Sequence, residues 1–151
     1  MGSSQKILVP VDFTRGSHLT IDFARRLGAS FDAELWLLHV IDVPDAASAI
    51  VPGADVDRDM ASERDMSDRS LSDLRDALVC SGFPRVTLRT EAGDPVEVIL
   101  RLAQESEYEV IVMGTHGRTG LSRLLNASVA ERVVRAARCP VVTIHLPPED
   151  P

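Results

Sequence analysis

The residue types best suited to chemistry sit between Met113 and Ser128: Met113-Gly114-Thr115-His116-Gly117-Arg118-Thr119-Gly120, then Leu121-Ser122-Arg123-Leu124-Leu125-Asn126-Ala127-Ser128. Three glycines spaced three apart follow the apolar run Val110-Ile111-Val112-Met113. Glycine lets a backbone approach a ligand with no Cβ in the way. A helix start follows, and the first turn of a helix offers unpaired N–H groups and the positive end of the helix dipole. His116 and Arg118 stand in the same loop and suit the neutralisation of phosphate charge. The chemistry such a group fits is the cradling of a phosphate, so nucleotide binding is the first hypothesis. Turns use such glycines as well, and neither G-x-x-x-x-G-K-[ST] nor G-x-G-x-x-G after the first strand occurs.

Other residues carry competing readings. Asp12 closes the first strand and either caps its end or accepts from an amino or hydroxyl group of a ligand. Ser128-x-x-Glu131 is a capping box, which uses one or two donors of a turn that has four. Glu131 would repel a phosphate unless it points away. His18, His39, His116 and His145 show no metal-ligand spacing, so no structural metal is expected. His39, inside an apolar strand, reads as a satisfied core histidine.

Length and composition bound the scaffold. A chain of 151 residues suits one domain that buries about two-thirds of its unfolded surface. Aromatics are only 4%, so the core must be built from Val, Leu, Ile and Ala. No apolar run approaches the ~20 residues of a membrane span, and the first residues lack a signal-peptide layout. Cys80 and Cys139 have no C-x-x-C spacing, which fits reduced thiols and a cytoplasmic location. A net charge of −7 argues against a general nucleic-acid or anionic-membrane binder. The charge is uneven: five arginines (118, 123, 132, 135, 138) face Glu131 alone between Gly114 and Pro140, making one basic island. Arg132, Arg135 and Arg138 read as a solvated helix face; Arg118 and Arg123 flank the glycine loop.

The elements that must position these residues alternate along the chain. Strands read at Lys6 to Val11, Glu34 to Ile41, Val86 to Thr90, Val110 to Met113 and Pro140 to Ile144, short and apolar on both faces. A first helix opens at Thr14 to Ser17, with Leu19, Phe23, Ala24, Leu27 and Phe31 at helical spacing and Gly28 at a modest propensity cost. A charged helix from about Arg58 to Ser81 carries Met60, Leu71, Leu74 and Leu78 and stops at Gly82. Asp94-Pro95-Val96-Glu97 opens a third helix, as N-cap, first-position proline and third-position acid, burying Val96, Ile99, Leu100 and Ala103. The last helix, from about Ser128, is expected to bury Val129, Val133, Val134 and Ala137. Residues 42 to 57 read as a long loop, and residues 147–151 as a disordered tail. Alternating helices and doubly buried strands demand an α/β domain, residues 1–146, with a five-stranded parallel sheet and helices on both faces. In such sheets ligands bind beyond the carboxyl ends of the strands, where strand order reverses.

Taken as whole runs, Ile7-Leu8-Val9-Pro10-Val11-Asp12-Phe13-Thr14, Leu38-His39-Val40-Ile41, Val112 to Leu121, and Ser128-Val129-Ala130-Glu131-Arg132-Val133-Val134-Arg135 before Cys139-Pro140-Val141 resemble the universal stress protein family. The likeness runs in order from about Lys6 to His145. It implies a Rossmann-like fold of the adenine nucleotide alpha-hydrolase type, and ATP, with or without Mg²⁺, as ligand. Nucleotide-binding members share G-x-x-G, nine residues, then G-[ST]. Carried onto this chain, Gly114 lies at the ribose, Gly117 presents backbone to the phosphates, Ala127 stands where a third glycine is expected, and Ser128 supplies the hydroxyl, with Val129 next to it. Adenosine is implied between Pro10, Val11, Asp12, Val40 and Met113. If the backbone at Ala127 needs positive φ, alanine costs about 1 kcal/mol, and each ~1.4 kcal/mol weakens binding tenfold.

The leading reading is an ATP-binding stress-response protein that acts by binding and signalling, with at most slow ATP hydrolysis, since no activated nucleophile or water-positioning base is evident. The alternative, favoured by Ala127, is a dimeric interaction module without nucleotide. A hydrolase is poorly supported, because no G-x-S-x-G elbow occurs. The resemblance also implies a homodimer through the strand Pro140 to Ile144, an apolar sheet edge that invites pairing. Further protein partners are expected but not identified by sequence.

Overall fold

Five short apolar runs and four amphipathic ones alternate along the chain, and each becomes one element of a computed structural model that describes residues 4–43, 56–115 and 129–145. In order these are β1 (Lys6–Pro10), α1 (Arg15–Phe31), β2 (Glu34–Asp42), α2 (Val56–Cys80), β3 (Val86–Gly93), α3 (Pro95–Glu105), β4 (Val110–Gly114), α4 (Val129–Ala136) and β5 (Val141–Ile144). All four strand pairings are parallel, and the sheet order is β3-β2-β1-β4-β5. The expected α/β domain with a five-stranded parallel sheet is thus the observed one.

Side chains alternate across each strand, and the sheet accordingly has two cores. One face packs Ile7, Val9, Leu35, Leu37 and Val112 against Ile21 and Ala24 of α1 and Leu71 and Leu78 of α2. The other packs Leu8, Leu38, Ile111 and Met113 against Val96, Ile99 and Leu102 of α3 and Ala130 and Val133 of α4. The N-cap of α3 is as the sequence requires: the Asp94 carboxylate accepts from the Glu97 N–H at 3.0 Å, with Pro95 at the first position.

Two helix faces differ from expectation. In α1 the buried side is Ser17, Thr20, Ile21, Ala24 and Gly28, while Leu19 and Phe31 are 51% and 60% exposed. Small residues let this helix sit close to its neighbours, and Gly28 takes the Phe83 ring: a Cβ there would lie 3.1 Å from Phe83 Cζ. In α4, Ala130 and Val133 are buried, whereas Val129 and Val134 are exposed. Eight residues give this helix only two turns, so one narrow stripe meets the sheet.

Candidate functional site

Strand order reverses between β1 and β4. On one side β1 stays with β2 as far as Pro10↔Leu38, and the Val11 N–H then donates to the Leu38 carbonyl at 2.8 Å. On the other, β4 stays with β5 as far as Gly114↔Ile144, and the Thr115 N–H donates to the Ile144 carbonyl at 3.0 Å. Between β1 and β4 the register stops at Leu8↔Ile111 among the described residues. The carboxyl ends of these two strands therefore part company, each following its outer neighbour. That opening is where open α/β sheets receive ligands.

Strand alternation decides what lines it. Leu8, Leu38 and Met113 belong to the core under α3 and α4, so Pro10 shares that face with Met113 by the two-residue repeat. Val40 packs against the same core. Pro10, Val40 and Gly114 are half-buried and Met113 is buried. Ala130, in the first turn of α4, shares the core with Met113, which brings the positive end of that helix towards the strand tips. Val11 differs: its side chain packs in the opposite core, beneath α1. Val129, the first residue of α4, is exposed. His116, Gly117, Arg118, Ala127 and Ser128 lie outside the described residues, as do Arg123 and with Ser128 the capping box at Glu131. Arg132, Arg135 and Arg138 are exposed, as a solvated face should be.

Asp12 sits just past the end of β1 and is engaged by the start of α1. Its Oδ1 accepts from the Thr14 N–H at 3.1 Å, the Thr14 hydroxyl at 2.6 Å and the Ser17 hydroxyl at 2.9 Å. These contacts tie the start of α1 to the end of β1.

Two residues that sequence reasoning did not assign to the site adjoin it from the α1 side. Phe13 has φ +62°, left-handed backbone that bulky side chains rarely adopt, and its ring centroid lies 4.4 Å from that of His39. His39 is buried, as expected of a core histidine, and its Nδ1–H donates to the Val11 carbonyl at 2.9 Å. No sequence signal marks Phe13, because the residue type argues against the conformation it adopts.

Other features lie apart from the crevice. A half-open cavity of about 280 Å³ is lined by Leu100, Ala103, Gln104, Glu107 and Cys139, at the far end of α3 from the β3–α3 turn. Burial pushes the Cys139 thiol above its ordinary pKa, and both cysteines are free. Among the described residues no cluster of three His, Cys, Asp or Glu side chains could hold a metal ion, and no helix is long and apolar enough to cross a membrane.

Known proteins share this fold. The model of the universal stress protein family matches residues 3–145. A universal stress protein of Methanocaldococcus jannaschii, MJ0531, is 31% identical over 97% of this chain and 85% of its own length. Another, from Methanothermobacter thermautotrophicus, is 32% identical over 94% of each chain. Among solved structures, UspA from Lactobacillus plantarum superposes with a TM-score of 0.79 at 24% identity, over 95% of this chain and 99% of its own. The same fold is seen in a universal stress protein in complex with cAMP (TM-score 0.68, 24% identity, 95% and 99% covered). It is seen again in one from Archaeoglobus fulgidus in complex with dAMP (TM-score 0.63, 20% identity, 93% and 97% covered). With two parallel-sheet cores, a parting of β1 from β4, and a family match that spans nearly every residue, this chain belongs to the universal stress protein family.

Proposed function

We propose that this chain binds an adenine nucleotide, ATP alone or with Mg²⁺, at the parted tips of β1 and β4, and acts in the cytoplasm through that binding on protein partners. The observation that carries the reading is the common face of Pro10, Val40 and Met113 at the strand-order reversal, with Gly114 and the first turn of α4 next to it. Three apolar side chains on one wall suit a purine and ribose, and Asp12 supplies a carboxylate for an amino or hydroxyl donor. The family pattern gives the phosphates to the backbone of Gly117, Ala127, Ser128 and Val129, with His116 and Arg118 as counter-charges. Two proteins of the same fold, described as complexes with cAMP and dAMP, support the ligand class.

The test has two arms. Protein is denatured after purification and the supernatant run on anion exchange; purified apo-protein is then titrated with ATP, with and without Mg²⁺, by calorimetry. Released adenine nucleotide or a saturable heat is expected. No released nucleotide and no heat would overturn the reading in favour of an interaction module, the alternative that Ala127 at the third glycine position favours.

The same reading includes a homodimer formed along Pro140 to Ile144. The Ile111 N–H donates to the Pro140 carbonyl and the Thr115 N–H to the Ile144 carbonyl. In a parallel ladder this parity turns the N–H and C=O of Val141 and Thr143 to the free side of β5. Those groups, on an edge that is half-buried and apolar apart from exposed Thr143, suit an antiparallel partner across a two-fold axis.

A further inference from the structure

Behind the crevice, on the α1 side of the sheet, one buried titratable side chain has no part in the reading above. We infer that His39 is a positioning residue of the nucleotide site, one that fixes the Val11–Phe13 turn from the opposite face of the sheet. The inference rests on the nucleotide reading and deepens it.

Its first support is the chemistry of the contact. On the same face of β2, Leu35 and Leu37 fill the core with apolar side chains. A polar ring at the next position costs stability unless it is hydrogen-bonded, and leucine would fill the space as well. What the imidazole adds is a donor: Nδ1–H to the Val11 carbonyl at 2.9 Å. The second support is the peptide unit it grips. The Val11 carbonyl and the Asp12 N–H belong to one rigid plane. His39 holds its oxygen from β2, and the Ser17 hydroxyl accepts from its N–H at 3.3 Å from α1. The plane that sets the direction of Asp12 is thus pinned at both poles by different elements.

The third support is strain. Phe13 at φ +62° follows directly, and such a conformation in a bulky residue persists only where its surroundings over-determine it. The His39 ring, tilted 34° against that of Phe13 at 4.4 Å, is one of those surroundings. One side chain therefore braces both the residue before Asp12 and the residue after it. Released from His39, the Val11 carbonyl can rotate, and Asp12 turns with it.

The experiment is calorimetric titration of wild type, His39→Leu and His39→Asn with ATP and with AMP. His39→Leu fills the core but removes the donor, and should weaken both ligands alike by about tenfold, the worth of one hydrogen bond. His39→Asn keeps a side-chain N–H near the place of Nδ1 and should stay within about threefold of wild type. Phe13→Gly, which tolerates the left-handed backbone but lacks the ring, should weaken both ligands alike and decides the matter if His39→Leu does not fold. Wild-type affinity in folded His39→Leu, equal losses in His39→Asn and His39→Leu, or a loss confined to ATP would each overturn the inference alone. Absence of binding by wild type would overturn the nucleotide reading itself, and this inference with it.

Discussion

Asp12→Ala is the substitution whose effect the structure specifies most fully. One carboxylate oxygen accepts three hydrogen bonds, from the Thr14 N–H, the Thr14 hydroxyl and the Ser17 hydroxyl, at 3.1, 2.6 and 2.9 Å. Hydrogen bonds to a charged group contribute about 1.5–3 kcal/mol. The three share one oxygen, so they do not add; Ser17 is buried, however, and its hydroxyl would lose the acceptor. We expect Asp12→Ala to cost about 2–3 kcal/mol by urea denaturation, a large part of a typical stability of about 5–15 kcal/mol. Asp12→Asn keeps an acceptor oxygen and should cost less than about 1 kcal/mol. Ser17→Ala combined with Asp12→Ala should cost less than the sum of the two single variants, because the removed groups are partners. An Asp12→Ala protein within about 0.5 kcal/mol of wild type, or strict additivity with Ser17→Ala, would refute the claim that this carboxylate ties β1 to α1.

Three further outcomes follow from particular contacts. Thr143→Pro removes an N–H that faces the free edge of β5 and leaves the ladder to β4 intact, so sedimentation should show more monomer with an unchanged fold; an unaffected dimer would move the interface elsewhere. Val142→Pro, in contrast, removes an N–H directed at β4 and should destabilise the protein itself. Gly28→Val drives a branched side chain against Phe83 and Leu35, 3.1 and 3.4 Å from the Cβ position, and should cost about 2 kcal/mol in urea; a neutral result would mean that Phe83 yields freely. The Cys139 thiol, raised by burial, holds less thiolate at pH 8 than an unperturbed cysteine. In a Cys80→Ser background it should react with Ellman's reagent more slowly than a free-cysteine peptide, and equal or faster labelling would contradict the burial assigned to it.

Much of the fold was legible because burial on both faces leaves an unmistakable mark. Val9, Leu37 and Val112 have no exposed surface, and runs this apolar over so few residues, separated by helical patterns, admit little besides a parallel sheet. β3 runs on to Gly93, past the expected end at Thr90, because an edge strand tolerates Glu91 where an inner one would not. Helix faces were harder to read. Hydropathy drew attention to Leu19 and Phe31, whereas α1 packs through Ser17, Thr20 and Gly28, small residues whose value is closeness rather than apolar area. At the site, Asp12 was marked by its place after an apolar strand, but its three partners depend on how α1 enters. Nor could spacing alone reveal that β1 and β4 part: this follows from strand order, which local pattern does not encode. Phe13 gave no signal at all.

Nucleotide binding at the parted tips of β1 and β4 is tested most directly by a crystal structure of the protein grown with excess ATP and Mg²⁺. A purine is expected against Pro10, Val40 and Met113, a ribose by Gly114 near the Asp12 carboxylate, and phosphates at the backbone leading into α4. A nucleotide seated anywhere else, or solvent alone between the tips of β1 and β4 at saturating ligand, would contradict it.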